Sequence, residues 1–122
     1  MASIKRLKKI RERREKRVRN KIRGTQVRPR LSVFRSSRYI YVQAIADDVG
    51  KTLAQASTLN KEIKDQLIGL KKVEAAREVG KLMAKNLLSK GIQEAVFDRG
   101  RFLYHGRVKS LAEGVRETGV KL

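Results

Sequence analysis

The chain has no cysteine and no tryptophan, a single histidine and a single proline. Without cysteine there can be no disulfide, no thiol nucleophile and no thiolate zinc site. One histidine, His105, cannot build a histidine metal cluster. Long apolar runs are missing as well. The longest, Tyr39-Ile40-Tyr41-Val42, falls far short of the roughly 20 residues that cross a bilayer. No apolar stretch follows the basic start, so no secretory signal is expected. These absences suggest a soluble protein of a reducing compartment, with no membrane partner.

Acidic residues are scarce. Twelve Asp and Glu face 31 Lys and Arg, a net charge of +19 and a pI near 11.0. With 40% hydrophobic residues in 122, the chain can still bury the core of one compact domain. An excess of this size repels itself in a compact monomer, and a polyanion is the partner that relieves it.

The charge is concentrated at the front. Residues 1–30 carry a net +12 and residues 31–122 a net +7. Gly24, Thr25 and Pro29 interrupt any helix at the junction. The expected organisation is therefore a basic arm over 1–24, a linker over 25–29 and a globular domain over 30–122. The arm's residue types favour helix, with Ser3 as N-cap. Its few aliphatic positions, Ile4, Leu7, Ile10, Val18 and Ile22, give little to bury. Its cations are Lys5, Arg6, Lys8, Lys9, Arg11, Arg13, Arg14, Lys16, Arg17, Arg19, Lys21 and Arg23. Like charges at this density oppose a free helix, and phosphate contacts remove the opposition.

Beyond the arm, Leu31–Arg35 and Tyr39–Ile45 are rich in β-branched and aromatic residues around the polar turn Ser36-Ser37-Arg38, which reads as a hairpin. Asp47-Asp48-Val49-Gly50 is a second turn, returning as a third strand over Lys51–Ser57. Leu59, Ile63 and Leu67 share a helical face and allow a short helix. Val73, Ala76, Gly80, Met83 and Leu87 then recur at three- and four-residue intervals, widened by Val79, Ala84 and Leu88. Lys90-Gly91 ends that helix. Ile92–Phe97 reads as a strand. Val108, Leu111, Ala112 and Val115 mark a last helix stopped near Gly119. A helix between the meander and the fourth strand permits a βαβ crossover. The expected fold is α+β: a small mixed sheet, made of an antiparallel three-strand meander and a βαβ-connected fourth strand, with packed helices and a basic arm.

Catalysis has little to draw on. Asp47, Asp48 and Asp98 lie at predicted strand ends, where a two-metal nuclease would hold carboxylates. Ordinary turn chemistry accounts better for Asp47 and Asp48, and Asp98 can orient the loop that begins at Arg99. No hydroxyl nucleophile has an evident partner set, and there is no phosphate-loop or dinucleotide pattern. No enzyme activity, metal, cofactor or small-molecule substrate is expected. Binding features are richer. Arg28, Arg30, Arg35 and Arg38 surround the first hairpin with Ser36 and Ser37, and guanidinium forks and hydroxyls both suit phosphate oxygens. The 99–107 loop carries Arg99, Arg101 and Arg107 beside Phe102, Tyr104 and His105, a mixture suited to unstacked bases. Either Phe102 or Tyr104 can equally serve the core. A general DNA-compacting protein stands as the alternative to an RNA binder.

Two blocks carry a resemblance. Arg28-Pro29-Arg30-Leu31-Ser32-Val33-Phe34-Arg35-Ser36 with Tyr39-Ile40-Tyr41, and Phe97-Asp98-Arg99-Gly100 through Tyr104-His105-Gly106-Arg107-Val108-Lys109, closely resemble the bacterial ribosomal protein L-eighteen family. Leu111-Ala112-Glu113-Gly114, Arg116-Glu117 and Gly119 continue the match. The resemblance implies a cytoplasmic, ribosome-bound protein, or one of the plastid stroma. It implies binding to 5S ribosomal RNA, attachment of that RNA to the 23S ribosomal RNA in the central protuberance, and contact with neighbouring large-subunit proteins. It adds Lys109 to the expected RNA-binding residues.

Overall fold

In the computed structural model, residues 23–100, 102 and 104–122 are described. The arm cations from Lys5 to Lys21 lie outside the described residues, as does Arg101. Four strands form one sheet: β1 (Arg30–Arg35), β2 (Ile40–Ala46), β3 (Lys51–Ser57) and β4 (Val96–Asp98), in the order β3-β2-β1-β4. β1, β2 and β3 pair antiparallel, whereas β4 pairs parallel to β1. The mixed sheet is the one expected. Three helices accompany it among the described residues: α1 (Lys61–Lys64), continued by a 3₁₀ turn over Asp65–Leu67, α2 (Lys72–Ser89) and α3 (Arg107–Thr118).

The two-residue alternation of a strand decides which face is covered. Leu31, Val33, Ile40, Val42, Ala44 and Ala56 point inward and are buried with Ala76, Val79, Met83, Leu87, Leu111 and Val115 of α2 and α3. Phe34 and Tyr41 point the other way and remain exposed. Among the described residues, the sheet is thus covered on one side only. Val73 and Leu88, at the margins of the helical stripe, are also exposed.

α2 and α3 meet through backbone. A Cβ at Gly80 would collide with the Leu111 carbonyl oxygen, and one at Gly114 with the Arg77 carbonyl oxygen. This reciprocal contact lets the two helices approach more closely than side chains at either position would allow. Both helices end in the same double hydrogen bond. Gly91 and Ile92 donate to Leu88 and Leu87, and Gly119 and Val120 donate to Arg116 and Val115. That motif places its glycine at positive φ, here 77° and 113°.

One boundary departs from the sequence reading. The fourth strand begins at Val96 rather than Ile92, because the preceding residues pair with the C-terminal tail. The Lys121 N–H donates to Gln93 and the Ala95 N–H to Lys121, both at 2.9 Å. Between arm and domain, the 24–29 segment is anchored at its two ends while Gln26, Val27 and Arg28 are exposed. Gly24 and Pro29 are buried, and the Val96 N–H donates to the Pro29 carbonyl at 2.9 Å.

Candidate nucleic-acid interface

The hairpin turn is held by its own polar groups. The Ser36 N–H donates to the Tyr39 carbonyl at 2.8 Å, and the Tyr39 N–H donates to Ser36 Oγ at 3.1 Å. The Ser36 hydroxyl hydrogen stays free to donate outward. Because β4 runs parallel to β1, the chain leaving Asp98 travels toward this same end of the sheet. The 99–106 loop therefore lies beside the hairpin.

Several contacts join loop and hairpin. Arg35 sits 5.2 Å over the Phe102 ring, which meets Phe34 edge-on at 6.4 Å. Arg107, the first residue of α3, donates through Nη1 to the Ser36 carbonyl at 2.7 Å. Its Nε is buried without a hydrogen-bond partner among the described residues. Burial, and then the charge of Arg35, lower the pKa of Arg107. Two guanidinium charges thus repel one another, and among the described residues neither has an ion-paired carboxylate, an arrangement that an anion stabilises. Among the described residues, ion-paired carboxylates occur at Asp47, Asp98, Glu78 and Glu117, and none of them serves this end of the sheet.

The remaining loop residues divide by role. Arg99 folds back to donate to the Phe102 carbonyl at 3.1 Å. Phe102 packs partly buried against the core. Tyr104 stays exposed, meeting Phe97 edge-on at 5.8 Å while its hydroxyl accepts from Arg116 at 3.0 Å. Of the two aromatics weighed for the core, Phe102 is the one that joins it. Ser37, Arg38, His105 and Lys109 are exposed around the same end.

The expected ring of arginines about the first hairpin is split. Arg28 and Arg30 belong to the far end of β1, about five residues and roughly 17 Å from Arg35 at strand rise. Exposed Arg23 and Arg28 lie there, where the arm joins. Arg30 differs from every other candidate. Its Nε and Nη2 fork onto Asp47 at 3.0 and 3.1 Å, and its Nη1 donates to Asp98 at 2.9 Å. An arginine bound to two carboxylates has no fork left for phosphate, so Arg30 is corrected from an RNA contact to an internal clamp. The same clamp explains the carboxylates considered for a metal site. Asp47 also accepts from the Gly24 N–H at 2.7 Å, and Asp98 from the Gly100 N–H at 2.8 Å. Asp98 orients its loop as expected, and Asp47 does more than shape a turn.

Residues 5–122 match the family described as ribosomal L18 of archaea, bacteria, mitochondria and chloroplast. The chain belongs to that ribosomal protein family. Curated relatives agree along nearly the whole length. The large ribosomal subunit protein uL18 of Syntrophus aciditrophicus is 59% identical over 121 residues, 99% of each chain. Its counterparts in Kosmotoga olearia and Acetivibrio thermocellus are 53% identical over 114 residues and 57% over 109, covering 93% and 89% of each chain. Membership of a ribosomal L18 family makes this chain a structural ribosomal constituent and not an enzyme. No helix among the described residues is long and apolar enough to cross a membrane.

The exposed Phe34–Tyr41 pair escaped the sequence reading. The rings stack at 5.4 Å with an interplanar angle of 9°. The signal was present: both residues fall on the outward phase of an alternation whose inward phase is Leu31, Val33, Ile40 and Val42.

Proposed function

We propose that this ribosomal L18 family member binds 5S ribosomal RNA and helps attach it to 23S ribosomal RNA in the central protuberance of the large subunit, beside neighbouring large-subunit proteins. The observation that carries the reading is the pairing of Arg35 and Arg107 with no compensating carboxylate. A partly buried guanidinium whose Nε lacks a partner and which a second arginine repels is stabilised by a polyanion that completes it. Ser36, Ser37 and Arg38 offer further donors to the backbone, and Arg99, Tyr104, His105 and Lys109 line the adjoining loop. The arm cations supply most of the non-specific affinity, and the hairpin and loop fix orientation on a folded RNA.

The test is a filter-binding titration of the full chain against 5S ribosomal RNA, transfer RNA and duplex DNA of equal length, at two salt concentrations. If about 6–10 phosphates are neutralised, affinity falls roughly 10³- to 10⁵-fold between 50 and 200 mM salt. A 5S preference that survives moderate salt supports the reading. Equal binding to all three shows only a polycation and favours the general nucleic-acid binder.

A further inference from the structure

The uncovered face of the sheet holds a second kind of surface. Between β2 and β3 lies a cleft of about 230 Å³, lined by Tyr39, Tyr41, Gln43, Gln55, Leu59 and Asn60 among others. It is smaller than the roughly 300–1,000 Å³ of common small-molecule sites. Among the described residues no charged side chain lines it, in a chain of net charge +19. A phosphate therefore finds no cation inside. Gln43 and Gln55 are directly opposed in the β2–β3 register, so two carboxamides present donors and acceptors side by side. Asn60 Oδ1 accepts from the Ser57 N–H at 2.8 Å, leaving its amide hydrogens to donate. Phe34, on the β1 side, stacks on Tyr41 and holds that ring; the cleft adjoins the same ring on the β3 side.

We infer that this cleft receives a single unpaired nucleobase. A base is planar and neutral, has two π-faces for tyrosine, and carries both donors and acceptors for carboxamides. The flanking sequence suits the rest of such a nucleotide: exposed Arg38 immediately precedes Tyr39 and exposed Lys61 immediately follows Asn60, which puts a cation next in sequence to a lining residue on each side. Sheet faces with exposed aromatics take single-stranded bases in this manner. The inference rests on the reading that the chain binds a folded RNA, and adds to its phosphate contacts a place where one base leaves the stack.

Two measurements on the full chain test it. The first follows the Tyr41 ring protons and the Gln43 and Gln55 side-chain amides by NMR during titration with a short single-stranded RNA, a duplex RNA of the same length, and inorganic phosphate. Shifts with the single strand and not with the other two support the site; no shift with the single strand overturns it, whatever the 5S preference proves to be. The second measures 5S ribosomal RNA affinity. Tyr41→Ala is expected to weaken binding roughly 5- to 100-fold, as loss of one base–aromatic stack does, with an unchanged salt slope, and Tyr41→Phe to restore it. Gln55→Leu, on an exposed position of the edge strand, should weaken binding in the same salt-independent way and guards against a folding defect in Tyr41→Ala. If both Tyr41→Ala and Gln55→Leu bind 5S RNA like the wild type, the face is free of base contacts and is left for a protein neighbour. If wild-type protein shows no 5S preference while the NMR shifts persist, the base site stands and the 5S assignment falls.

Discussion

Replacing Arg30 by methionine separates a structural arginine from an RNA-binding one. The guanidinium bridges Asp47 and Asp98 from a site only 14% exposed, and the Asp98 side chain is 3% exposed. Methionine keeps much of the buried stem but leaves Asp98 charged, buried and reliant on the Gly100 N–H. Breaking a buried pair on one side costs about 3–5 kcal/mol. The Asp47 half is 26% exposed and contributes nearer the roughly 0–1 kcal/mol of a surface pair. The sum expected is ~3–6 kcal/mol. At about 5 °C per kcal/mol for a domain near 100 residues, the melting temperature drops by roughly 15–30 °C. Adding Asp98→Asn should recover part of that loss, because it removes the stranded charge and keeps an acceptor for Gly100.

The pH dependence gives a second reading of the same clamp. The Arg30 guanidinium, with help from the Gly24 N–H, holds the Asp47 carboxyl below its ordinary value of 3.8, and burial opposes it. A depressed carboxylate stabilises the fold fully above its unfolded pKa and loses that contribution as pH falls through the folded value. The gap between wild type and Arg30→Met should therefore be widest above about pH 4 and narrow in stronger acid. Differential scanning calorimetry across pH measures it. The RNA side supplies the contrast: once folded, Arg30→Met should keep the wild-type salt slope, whereas loss of one phosphate contact lowers it by about 0.9. A variant that melts with the wild type and shows the shallower slope would refute the clamp.

Arg107→Met should lower RNA affinity and reduce the salt slope by about 0.9, yet leave thermal melting close to wild type. The lost bond to Ser36 is offset by relief of burial and of repulsion from Arg35. Gly114→Ala forces a methyl onto the Arg77 carbonyl and should cost roughly 1–3 kcal/mol in urea unfolding, as overpacking does. Removing residues 1–22 should leave the melting temperature unchanged while RNA affinity falls steeply. Extending the deletion through Gly24 should lower the melting temperature, because Gly24 exchanges bonds of 2.7 and 3.0 Å with Asp47.

Legibility in the sequence followed the range of the interactions. α2 and α3 were readable because helical periodicity and a terminal glycine are local signals, and the meander because its turns are local too. The start of β4 was not, since the competitor for Ile92–Ala95 is Lys121, beyond an entire helix. The Gly80–Gly114 contact was hidden for the same reason: each glycine is ordinary within its own helix. Arginines posed the hardest case. Arg28, Arg30 and Arg35 look alike in a basic block, and no propensity distinguishes them. What sets Arg30 apart is register, which brings Asp47 in from the end of β2 and Asp98 in from parallel β4.

The same register sorts the charge. Carboxylates are few, so their placement decides which cations stay available. Asp47 and Asp98 converge at the beginning of β1 and neutralise Arg30 there, while Glu117 and Glu78 pair with Arg77 and Lys81 on the helical layer. The hairpin end receives none of these four. Parallel β4 nevertheless delivers its loop to that end, and α3 starts there with Arg107 against Ser36. These four acids thus close the sheet or pair on the helices, and none of them neutralises Arg35, Arg38 or Arg107. Pairing these four acids elsewhere leaves positive charge on one end of the sheet, the end where the proposed binding would draw on both long-range attraction and final docking to a polyanion.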